Sequence, residues 1–79
     1  TRSMLSFRTV EAGPIEVDLL DLTGRRVRQV LSMSDGAADV YHVTIDGQDD
    51  DGASLPSGLY FYRIHAVRRS WTGRLVITR

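Results

Sequence analysis

Leu59-Tyr60-Phe61-Tyr62-Arg63-Ile64-His65-Ala66-Val67 is the stretch whose reading decides the fold. Tyr60, Tyr62 and Ile64 share one face at a period of two, while Phe61 and Arg63 share the other. That spacing belongs to a pleated strand, whose successive side chains point to opposite faces. Aromatic and β-branched residues also favour such a half-buried surface. The stretch is preceded by the longest connection in the chain, Gly47 to Gly58, rich in Gly, Asp, Ser and Pro. These residues supply positive φ, a pre-set φ, or side chains that bond the backbone locally.

The same alternation recurs outward in both directions. Toward the N-terminus, Val40 to Asp46 turns Tyr41, Val43 and Ile45 inward and His42 and Thr44 outward. Arg25 to Met33 forms a strand with Val27 and Val30 or Leu31 inward, a spacing that would also suit a helical turn. Ile15, Val17 and Leu19 alternate with Glu16 and Asp18, a half-buried strand, and Leu20 and Leu22 imply cover on both sides at its end. Met4 to Val10 places Leu5 and Phe7 together. Toward the C-terminus, Trp71 to Thr78 aligns Leu75 with Ile77. The expected turns are Glu11-Ala12-Gly13-Pro14, Asp21-Leu22-Thr23-Gly24, Ser34-Asp35-Gly36-Ala37 and Arg68-Arg69-Ser70. Turn clusters at this regular spacing predict an all-β, immunoglobulin-like antiparallel sandwich of six or seven strands without a helix. Its expected core is Leu5, Phe7, Ile15, Val17, Leu19, Val27, Val43, Ile45, Tyr60, Tyr62, Ile64, Leu75 and Ile77.

The 79 residues suffice for one domain, residues 1–79. A chain of this size hides only roughly 60% of its unfolded surface, so its core is thin. Ten basic and ten acidic residues cancel to a formal net charge of zero. Nucleic-acid binding and attraction to anionic membranes need a basic excess that is missing here. Every basic residue is Arg and none is Lys. A GC-rich genome is the simpler explanation; the sharper one is a contact surface, since Arg stacks on rings and forks onto carboxylates. There is no Cys, hence no disulfide or thiolate metal site. No apolar run is long enough to span a bilayer. The chain begins at Thr1 rather than Met, which predicts that it is a piece of a longer protein.

One segment looks like a site. Asp46, Asp49 and Asp51 stand with Asp50 close together in a loop that also holds Gly47 and Gly52. Calcium takes roughly six to eight oxygen ligands, which such loops supply. The spacing departs from the EF-hand pattern, and the simpler reading is that the carboxylates bond their own turn. By strand alternation this loop lies at the same end as Asp21, Arg25, Arg26 and Arg79. His42 and His65 each stand alone on a strand, and no serine has an activating neighbour. These features predict a non-enzyme without a resident cofactor, calcium in the acidic loop being the one exception to test. Phe61 and Trp71 are left over from the core and are candidate exposed anchors for a partner.

Three motifs in order give the chain a resemblance. Ile15 to Val27, with Asp21, Gly24 and Arg25 at its turn, resembles the opening of FlgD-type immunoglobulin-like domains. Asp46-Gly47-Gln48-Asp49-Asp50-Asp51-Gly52 resembles their acidic Gly-bounded loop, with Ile45 where the family commonly has Trp. Leu55-Pro56-Ser57-Gly58-Leu59-Tyr60-Phe61-Tyr62-Arg63 resembles the aromatic strand that follows it. The ending Arg74 to Arg79 is similar to the family's basic-apolar-basic terminus. The resemblance implies fold-specifying roles for Asp21, Gly24, Asp46, Gly47, Gly52 and Gly58. It also implies kinship with the type A C-terminal sorting domains of the type IX secretion system. The expected function is therefore that of a non-catalytic sorting and surface-attachment module of a secreted or cell-surface bacterial protein. Export machinery or a surface protein would recognise it, with Arg74 and Arg79 contributing. The alternative expectation is a subunit that assembles with itself into an extracellular filament or surface layer.

Overall fold

The computed structural model describes residues 2–78. Six strands follow one another: β1 (Ser3–Arg8), β2 (Gly13–Leu20), β3 (Arg26–Gly36), β4 (Val40–Ile45), β5 (Gly58–Ala66) and β6 (Arg69–Ile77). They form two antiparallel sheets, one ordered β3-β2-β5-β6 and the other β1-β4, packed as a sandwich. The fold class read from the sequence is the one observed, with six strands.

Period-two alternation places the core between the sheets. Ile15, Val17 and Leu19 of β2 are at most 1% exposed, with Tyr60 and Ile64 of β5 and Ile77 of β6 buried beside them. Phe7, Val43 and Ile45 reach down from the small sheet. Leu5, Val27, Tyr62 and Leu75, expected in the core, pack at its margins and are only partly buried. Leu55 joins the core from the long loop, an element in which no periodicity marks a residue as inward. Thr9 is buried too: its hydroxyl donates to the Ala37 carbonyl at 3.2 Å and accepts from the Asp39 amide at 3.1 Å.

Several boundaries differ from those expected. Gly13 and Pro14 already belong to β2. Ser34, Asp35 and Gly36 continue β3, because Gly36 still pairs with Gly13 and lies under the Ile15 side chain. The last hairpin turns at Val67 and Arg68, and Arg69 and Ser70 pair with Ala66 and His65 within β6. Arg68 adopts the left-handed conformation, φ 62°, usually left to Gly or Asn in such turns. Leu22 is 65% exposed at the tip of the β2–β3 hairpin, so no second layer covers that strand end.

Candidate functional site

Asp21 and Gly24 stand in the turn between β2 and β3. Asp21 Oδ1 accepts from the Thr23 hydroxyl at 2.6 Å, the Thr23 amide at 2.9 Å and the Arg25 amide at 3.1 Å. Its other oxygen lies 3.2 Å from Arg25 Nε. The Thr23 hydroxyl is the main cause of a carboxyl held down at about 2; amides and the guanidinium add to it, against an opposing push from desolvation. Gly24 completes the turn at φ 87°, a conformation that costs an L side chain.

The acidic loop is organised in the same way. Asp49 Oδ1 accepts from the amides of Asp51 and Ala53, both at 2.9 Å, and Asp46 Oδ1 from the amide of Gln48 at 3.2 Å. Asp50 reaches across to the Gln29 amide of β3 at 2.8 Å. Arg28 closes on the loop from β3, 3.3 Å from the Asp46 carboxylate and 3.2 Å from the Asp49 carbonyl. A hollow of about 360 Å³ between this loop and the hairpin is lined by Arg25, Arg26, Asp49, Asp50 and Asp51 among others. The expected neighbourhood of loop and hairpin is therefore real, while Arg79 lies outside the described residues. Asp46 and Asp49 are thus turned onto backbone donors of their own loop, as in the simpler of the two readings, and among the described residues no three acidic or histidine side chains are grouped as metal ligands would be.

The outer face of the four-stranded sheet holds what the sequence reading missed. Asp18, assigned outward by alternation, does face outward but is only 3% exposed. Arg63 on β5 lies 3.5 Å from its Oδ2, and Arg26 on β3 lies 3.7 Å from its Oδ1. Asp18 Oδ1 and Arg63 Nε are buried without a hydrogen bond among the described residues. A carboxylate leaves water only when opposite charge accompanies it, and the cross-strand pairing Asp18–Arg63 brings that charge. The signal in the sequence was an acidic residue set between Val17 and the apolar pair Leu19-Leu20.

On the same face Phe61 is half-buried, flanked in register by Leu20 on β2 and by Arg74 on β6. Arg74 is exposed and makes no ion pair among the described residues. Trp71, expected as an exposed anchor, is on the inner face instead, half-buried with its ring 5.9 Å from that of Phe7. Phe61 and Trp71 thus lie on opposite faces of the sheet and do not form one platform. His42 and His65 sit on strands, each hydrogen-bonded through Nδ1 to a serine hydroxyl: Ser6 at 2.8 Å and Ser70 at 3.1 Å.

The chain matches no protein-family model, no curated protein and no solved structure. Among the described residues no helix is long and apolar enough to cross a membrane.

Proposed function

We propose that this chain is a non-catalytic sorting and surface-attachment module of a secreted or cell-surface bacterial protein, of the FlgD-type, type IX sorting kind. The observation that carries it is the position of β6. Among the described residues this last strand pairs only with β5, at the edge of the four-stranded sheet, with Arg74 exposed upon it. A receptor could pair with such an edge through the main chain and read its side chains. The motifs behind the resemblance support the reading indirectly, because Asp21, Gly24, Asp46 and Asp49 hold the loops that fix this sheet.

Removing Arg74 to Arg79 would be a poor test, since Ile77 is buried and its loss would unfold the sandwich. Charge reversal at exposed Arg74 is cleaner. Residues 1–79 fused to a reporter should be exported by a host with this secretion system, and Arg74→Glu should cut export at least fivefold while leaving the melting temperature unchanged. A fusion that is not exported, or an Arg74→Glu variant exported like the parent, overturns the proposal.

A self-assembling subunit is the second reading. It is favoured by the free edges of β1, β4, β3 and β6, four of the six strands, in a chain without net charge to hold copies apart. Sedimentation at high concentration distinguishes the two: a strictly monomeric particle eliminates the assembling subunit.

A further inference from the structure

The sandwich is uneven, four strands against two. Constant-type immunoglobulin sandwiches have about seven strands, four against three. Here β4 packs close to β3, whereas the backbone of β1 stays away from β6 and only the Phe7 ring reaches Trp71, so the small sheet is stepped toward β3. The place where a third strand would run, alongside β1 and above β6, is an open cleft of about 270 Å³.

The cleft is built for a strand. Tyr62 and Trp71, both half-buried, form its floor, and Phe7 forms its inner wall. Tyr62 lies across Gly73, its cross-strand partner; a Cβ there would clash with the ring, so glycine is what lets the tyrosine lie flat. Among the described residues β1 pairs with β4 alone, and its other edge presents the unpaired N–H and C=O groups of any sheet edge.

Charge narrows the occupant. Arg25, Arg26, Arg28, Arg63 and Arg68 each have a carboxylate partner. Arg8 and Arg69 have none among the described residues, and both rim this cleft. The Arg69 guanidinium carbon stands 5.2 Å over the Trp71 ring, which holds a cation at the mouth of an aromatic floor. Two uncompensated guanidiniums beside a free strand edge call for carboxylates on whatever pairs there.

We propose that this cleft binds an extended acidic-apolar peptide segment of a partner protein, added to β1 as the third strand of the small sheet. Main-chain hydrogen bonds to Ser3–Arg8 supply affinity. An apolar side chain settles on Tyr62 and Trp71, a carboxylate two residues along on the same face meets Arg69, and a neighbouring carboxylate on the opposite face meets Arg8, which supplies selectivity. The cleft would take such a segment whether or not the chain is a sorting module.

Trp71 is the only tryptophan, so its fluorescence reports on the site directly. The probe is a synthetic eight-residue peptide of valine and glutamate with glutamates on both faces of the strand, and its control carries lysine in place of every glutamate. We expect saturable binding of the glutamate peptide with a blue shift of Trp71 emission, and chemical-shift changes in the β1 amides that leave the β3 amides unmoved. The lysine peptide should bind at least tenfold more weakly, and the Arg8→Glu, Arg69→Glu double variant should reverse that preference at an unchanged melting temperature. N-methylation of alternate amides in the glutamate peptide should abolish binding. Equal binding of both peptides, no response of Trp71, or sedimentation showing that a second copy already fills this edge would overturn the proposal.

Discussion

Strand β2 is paired along both edges, to β3 and to β5, and its inward side chains Ile15, Val17 and Leu19 are at most 1% exposed. Strand β1 has a similar alternation, yet it pairs only with β4; Phe7 is 8% exposed and Leu5 is only half-buried. The residue types differ little, and the neighbours differ greatly. A strand at the centre of four is covered by its own sheet and by the layer above it, whereas a strand in a sheet of two is covered from one face and one edge. Burial is therefore concentrated around β2, and unpaired edge around β1.

The largest expected effect tests that asymmetry directly. Leu19→Ala should cost about 2–5 kcal/mol in urea denaturation, a large share of the stability of a domain this small. Leu5→Ala, at a half-buried site, should cost only about 1–2 kcal/mol. Equal costs would break the comparison, because they would mean that the small sheet is as tightly covered as the large one.

A smaller effect concerns the outer face of β2, where cover is ionic. Arg63→Ala leaves Asp18 with Arg26 alone and should destabilise by about 1–2 kcal/mol, less than for a fully buried pair because Arg63 and Arg26 keep much of their hydration. Changing Asp18 and Arg63 together to leucine should recover most of that loss, since the sheet then buries no charge at this position. A double-mutant cycle checks this, and additive single costs would show that the pair does not cover β2 as a unit.

The smallest effect is at the end of β2. The Asp21 carboxyl sits at about 2, below its ordinary 3.8. A depressed folded value means that the carboxylate stabilises the fold above about pH 4, and that this contribution is lost as pH falls toward 2. The melting-temperature advantage of the parent over Asp21→Asn should therefore be full at pH 6 and shrink between pH 4 and 2. An advantage that persists unchanged at pH 2 would mean that hydrogen-bond geometry, not charge, fixes this hairpin.

Most of the candidate contact surface was legible only in part. Arg74 is exposed as expected, but Phe61 and Trp71 separate onto opposite faces. A period of two assigns each residue to a face and says nothing of which face a second sheet will cover. Trp71 looked surplus to the core because its own strand is short of apolar neighbours; Phe7, far away in sequence, provides the neighbour. Asp18 looked solvated because it alternates with Val17 and Leu19, and only the pairing of β2 with β5 brings Arg63 over it.

The sequence by itself determined which segments are strands, which side chains share a face, and where Asp21, Gly24 and the Asp46–Gly52 loop turn the chain. These follow from interactions within a few residues: the pleat, the reach of a carboxylate to an amide two or four residues on, and the freedom of glycine at positive φ. Tertiary structure alone decided the division into four strands and two, the burial of Leu55 and Asp18, and the cleft between β1 and β6. Each of those depends on which strands meet across the sandwich, and partners distant in sequence leave no mark in the local pattern that made the strands.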